Sequence, residues 1–139
     1  MSRIASPWTA SAAVLLLLIG AGGAAAGPID SPKPRVIPLE AAGRDYLPLL
    51  QGPPQTVFMR SGLVVLAPGK SVGKHSTKGN EEMLVILEGQ GEMRFSGADT
   101  LAFKKDMALY CPPNTEHDVV NTGTSTLRYV YVVSRAVDE

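Results

Sequence analysis

Glu82-Met83-Leu84-Val85-Ile86-Leu87-Glu88-Gly89-Gln90-Gly91 is the stretch that decides the fold. Residues 83–87 form an unbroken apolar run, too short for a helix of ordinary length and rich in residues that suit a strand. The glycines at 89 and 91 then punctuate the chain as a tight turn. Successive strand side chains point to opposite faces, so Glu82, Leu84 and Ile86 share one face and Met83, Val85 and Leu87 the other. Both faces are apolar, which predicts a strand buried on both sides, with a second layer or another subunit behind it.

The same texture extends in both directions. Upstream, residues 56–59 and 63–66 read as strands parted by Ser61-Gly62, and Ala67-Pro68-Gly69 reads as a turn. Downstream, strands are expected over 92–95, 100–103, 107–111, 118–120 and 126–133. Turns are expected at 96–99, 104–106, 112–114 and 121–123, where Gly, Pro, Asn and Asp collect. Short strands at this spacing predict an all-β barrel or sandwich formed by residues 56–139. Residues 27–55 carry seven prolines, at 28, 32, 34, 38, 48, 53 and 54, and read as an N-terminal lead-in. Within it, Val36-Ile37 could form a short edge strand and residues 41–50 a helical turn.

Residues 1–26 have the build of a secretory signal peptide. Arg3 gives a positive start, residues 10–19 are apolar, and Ala24-Ala25-Ala26 offers a small-residue cleavage site. This predicts a secreted or periplasmic protein with no stable membrane insertion after cleavage. The rival reading keeps the segment as a short anchor. The chain has 13 basic and 13 acidic side chains, and this balance offers no basic stripe for nucleic acid. The one cysteine, Cys111, cannot form an intramolecular disulfide, so stability must come from the core, a bound metal or a partner subunit.

The chain has two histidines. His75 follows Gly69 after five residues, Thr77 stands two further on, Glu82 follows after four residues and Gly89 after six more. His117 lies in Pro112-Pro113-Asn114-Thr115-Glu116-His117, with Asp106 before it and Asn121 four residues after it. Neutral imidazole and carboxylate are suitable ligands for a divalent ion, and two histidines with one carboxylate leave coordination positions open.

These two stretches resemble the two conserved motifs of the cupin family. The first family motif sets a glycine, an H-x-H pair, a glutamate and a closing glycine at intervals that Gly69, His75, Glu82 and Gly89 match. Thr77 takes the place of the second histidine. The second motif is matched by Pro112, His117 and Asn121, with Asp106 and Asn114 where the family has glycines. Asn114 is a mild change, because asparagine tolerates left-handed backbone. The resemblance implies a cupin-type double-stranded β-helix, or jelly-roll barrel. It implies a divalent metal (Fe, Mn, Zn or Ni) on His75, Glu82 and His117, with Thr77 at the position of the missing ligand.

It further implies a small organic substrate with dioxygenase-, isomerase- or lyase-like chemistry, or else a barrel that binds metal or ligand without turnover. A homodimer is expected, since a two-faced apolar strand in a small domain needs a second layer. Tyr110 and Arg94 are candidates to orient an anionic substrate or move a proton, if they point into the barrel. Cys111 reads as a small buried hydrophobe, Glu81 as a solvated neighbour of Glu82, and Asn121 as a residue that ties a turn with its amide.

Overall fold

A computed structural model describes residues 32–136. The signal segment expected over 1–26 and the start of the expected lead-in lie outside the described residues. Within them the chain is all-β, with nine strands: β1 (Tyr46–Gln51), β2 (Arg60–Leu66), β3 (His75–Ser76), β4 (Asn80–Glu88), β5 (Gln90–Phe95), β6 (Leu101–Lys104), β7 (Ala108–Cys111), β8 (Glu116–Val120) and β9 (Leu127–Arg135). They form a five-stranded sheet in the order β1-β2-β9-β4-β7 and a four-stranded sheet in the order β3-β8-β5-β6. Every pairing is antiparallel. The two sheets enclose one apolar core, the double-stranded β-helix expected above.

Alternation fixes what faces that core. In β4, Glu82, Leu84 and Ile86 are buried while Met83 and Val85 are exposed. In β9, Leu127, Tyr129, Tyr131 and Val133 point inward. Val64, Met93, Phe103, Val119 and Leu109 fill the space between the sheets. Burial of each such side chain contributes roughly 1.5–3 kcal/mol, and this core carries the fold with its single cysteine unpaired. The expectation that β4 is covered on both faces is therefore corrected within this chain. Its outer face, with Met83 44% exposed, meets solvent.

Three local readings are also corrected. Residues 46–51 form β1, not a helical turn. Tyr46 stacks on Tyr131 with ring centroids 6.4 Å apart, and Pro48 is tolerated at a register irregularity on the sheet edge. Residues 36 and 37 form no strand, and Val36 is 95% exposed between Pro34 and Pro38. Ser61-Gly62 is not a turn but the middle of a continuous β2, and residues 56–59 lie outside it. Gly62 is needed there for close approach: a Cβ at that position would lie 2.6 Å from the Tyr46 ring and 2.8 Å from the Tyr131 ring.

The turns use left-handed residues. Asp106 and Asn114, which stand where the resembled motif has glycine, have φ of 68° and 58°. Asn121 is fully buried, and its amide donates to the Leu66 and Ser125 carbonyls at 2.8 and 2.9 Å and accepts from the Gly123 N–H. It thereby locks the end of β8 to the end of β2.

Gly89, at the β4–β5 turn, combines φ +80° with a Cβ position 2.5 Å from the Thr126 carbonyl oxygen and 2.9 Å from the Leu127 Cα. Both obstacles are backbone, so neither can swing aside. Gly89→Ala is expected to lower unfolding free energy by about 2–4 kcal/mol, the sum of left-handed strain and overpacking. Urea denaturation checks this, and a loss under about 1 kcal/mol would show that the turn relaxes freely.

Candidate metal centre

His75, Glu82 and His117 come from three strands and both sheets. β3 pairs β8 with His75 directly opposite His117, which sets the two rings 4.5 Å apart at 57°. Glu82 reaches the same point from β4 in the other sheet. One ligand atom from each of the three residues can be chosen so that all lie within 4.8 Å of one another. That is close to twice a metal–ligand distance of about 2.0–2.2 Å.

The hydrogen bonds hold both rings by their outer nitrogen. His75 Nδ1 lies 2.9 Å from the Gly73 carbonyl oxygen, and His117 Nδ1 lies 3.1 Å from the Thr115 carbonyl oxygen. When each Nδ1 carries the proton and donates it, each Nε2 is left as a lone pair directed inward, the arrangement that fixes a histidine for metal binding. His117 Nε2 is 3.0 Å from Glu82 Oε2, within ion-pair range, yet neither atom has a hydrogen bond of acceptable direction. Both are buried. Buried polar atoms are normally satisfied, and a cation between them would satisfy both at once. The residues therefore fit a divalent ion.

Electrostatics agree. Burial pulls the His117 pKa down, but the Glu82 carboxylate, the Thr115 carbonyl and the charges of Glu82 and Asp118 outweigh it and hold the group above its usual range. The site favours positive charge. The cavity at this point has a volume of about 30 Å³ and is walled by Val64, Val72, Val119, Tyr129 and Tyr131 beside His75 and Glu82. A water needs roughly 10–15 Å³ of such space, so there is room for an ion or a water.

Other sequence candidates fall elsewhere. Thr77 is buried, but its hydroxyl donates to the Asn80 carbonyl at 2.8 Å and is occupied within its own turn. Tyr110 is 56% exposed on the outer face, where its hydroxyl donates to Glu81 at 3.0 Å. Arg94 is exposed and bound to Glu92 at 2.9 Å. Neither points into the barrel, because Tyr110 pairs with outward Met83 and Arg94 precedes Phe95, the partner of His117. Cys111 does point inward, opposite Glu82, with its Sγ 3.3 Å from His117 Nδ1.

Tyr129 and Tyr131 line the site without having been singled out from sequence. Their facing follows from alternation once β9 is known to lie beside β4. Burial and then the Glu82 charge push the Tyr129 phenol well above its usual pKa, so it stays protonated. Tyr131 is likewise raised by burial and by its hydrogen bond to Tyr46.

A family model described as a cupin domain matches residues 62–133. The oxalate-binding protein of Thermotoga maritima is 32% identical over 68 residues, 49% of this chain and 55% of that protein. The chain thus spans about half the length of this curated relative. Among solved structures, a Cupin 2 conserved barrel domain protein from Salinispora arenicola is 25% identical, with a TM-score of 0.62 over 75% of this chain and 91% of that one. A protein from Bacillus halodurans is 19% identical, with a TM-score of 0.64 over 80% of this chain and 88% of that one.

Cys111 offers a direct check on the packing around His117. Burial and then the Glu82 charge push its thiol up to about 11. At pH 8 its thiolate fraction is then about two orders of magnitude below that of an unfolded cysteine. Iodoacetamide is expected to label the native protein at least ~100-fold more slowly than the urea-unfolded chain, as read by intact mass. Fast native labelling would mean the thiol is not enclosed.

Proposed function

From the premise that this chain belongs to the cupin family, we propose that it binds a divalent metal on His75, Glu82 and His117 and through it a small oxygen-bearing organic molecule. The observation that carries this reading is the pair of buried, unsatisfied atoms, His117 Nε2 and Glu82 Oε2, beside His75. Iron, manganese, zinc and nickel all suit such a donor set. A bound ion supplies Lewis-acid polarisation or oxygen activation, consistent with oxygenase-, isomerase- or lyase-type chemistry.

The chain's own residues do the rest. Gly73 and Thr115 orient the two rings through their carbonyls. Val64, Val72 and Val119 exclude water from the ion's apolar side. Tyr129 holds a proton at its phenol oxygen within the same enclosure. Capture without turnover is the second reading, favoured by the name of the Thermotoga maritima relative, which refers to binding. Export is supported by the apolar and small-residue pattern of residues 1–26, and a homodimer by the exposed Met83 and Val85.

Elemental analysis of the purified protein tests the core of the proposal. About one divalent ion per chain is expected, with a fall in melting temperature on chelation. His75→Ala and His117→Ala should each lose the ion. His117→Ala should also destabilise the metal-free protein by about 3–5 kcal/mol, because it leaves Glu82 buried without a partner. Metal-free protein whose melting temperature ignores both chelator and substitutions would sink the metal reading. Turnover of organic acids by iron-, manganese-, nickel- or zinc-loaded protein, against binding alone, separates the two functional readings.

A further inference from the structure

A second cavity adjoins the first. Its volume is about 220 Å³, and Phe58, Arg60, Thr77, Asn80, Tyr131 and Arg135 line most of it. Tyr131 also walls the small cavity that contains His75 and Glu82, so the two spaces share one aromatic partition. Ligand sites for drug-sized molecules run to about 300–1,000 Å³, so this volume suits something smaller.

Its charge is one-sided. Arg60 stands opposite Val133 in the β2–β9 register, and Arg135 is two residues further along the same face of β9. This brings two guanidinium side chains to one pocket that no acidic side chain lines. Among the described residues neither arginine has a carboxylate partner. Arg135 lies over the Phe58 ring at 5.7 Å. Such stacking steadies the guanidinium while leaving its edge N–H groups to face an oxyanion.

Two like charges converging on a concave surface repel each other, and a carboxylate relieves that repulsion while accepting forked hydrogen bonds. Ser76 adds a hydroxyl: it accepts from the Lys78 N–H at 3.0 Å and keeps its own proton to donate.

We propose that this cavity is a carboxylate-binding vestibule. Arg60 and Arg135 hold one carboxylate of a small organic acid whose other oxygen donors extend past Tyr131 toward His75, Glu82 and His117. The vestibule stands on its own geometry, and the link to the ion site rests on the metal reading above. The assignment narrows the ligand from any small organic molecule to an acid with a second oxygen donor. It also makes Arg60 and Arg135 specificity-determining residues.

Isothermal titration of succinate and of neutral succinamide into the purified protein, metal-free and Mn²⁺-loaded, tests this. Metal-free protein is expected to bind succinate and to ignore succinamide. Arg60→Gln and Arg135→Gln should each weaken succinate roughly tenfold, and Arg→Lys at either position should weaken it less. Mn²⁺ should tighten succinate binding in the parent protein. Equal binding by the double Gln variant, equal binding of succinamide, or no succinate binding in either state overturns the vestibule. Absence of Mn²⁺ tightening in protein that has taken up the ion overturns its link to the ion site. Succinate binding confined to Mn²⁺-loaded protein and indifferent to both arginines would leave the metal site standing and remove the vestibule. Arginine-dependent binding by a protein that takes up no metal would do the reverse.

Discussion

A carboxylate buried between two sheets is the constraint on which the rest of this structure depends. Glu82 projects from β4 into the barrel with about 6% of its surface exposed. An isolated buried carboxylate costs several kcal/mol after relaxation, so something positive must face it. Among the described residues one candidate lies at ion-pair distance, His117 at 3.0 Å. Glu82, with Thr115 and Asp118, raises the His117 pKa against the lowering effect of burial. With an ion bound, His117 Nε2 is needed as a lone pair. A proton and a metal would thus compete for the same nitrogen.

The register of the sheets follows from the same constraint. His117 can face Glu82 only if β8 is held in phase with β3 and β5, since a one-residue slip would turn it outward. The phase is fixed by Asn121, whose amide joins the end of β8 to Leu66 on the opposite sheet, and by Gly89 and Gly91, which admit backbone where any side chain would collide. The motif positions that hold no ligand are therefore the ones that aim the ligands.

How much of this was legible in the chain depended on whether local or long-range information settled it. That Glu82, Leu84 and Ile86 share one face needed only alternation. The left-handed backbone at Asn114 needed only the turn chemistry of asparagine. Gly62 was misread because a glycine between two apolar runs marks a turn or a close approach equally well, and only the Tyr46 and Tyr131 rings decide which. Tyr110 and Arg94 were candidates because their facing hangs on registers that span tens of residues: Tyr110 with Met83 puts the phenol outside and Cys111 inside. Arg60 and Arg135 lie 75 positions apart, and no local pattern links them; the pairing of β2 with β9 does. The long-range partners of the site stayed hidden for that reason, while the ligand spacing, which is local to two short stretches, did not.

The lead-in strand gains a functional meaning from these contacts. Tyr46 on β1 shares a hydrogen bond of 2.8 Å with the Tyr131 hydroxyl and stacks on its ring. Tyr131 is the wall common to the cavity beside His75 and Glu82 and the arginine-lined cavity. A tyrosine free to change rotamer would open and close that partition. One whose hydroxyl and ring face are both engaged by β1 is held in place. The small residue at Gly62 is what lets the two rings lie together against β2. The proline-punctuated segment before the barrel therefore ends in a strand that fixes the wall between the two cavities.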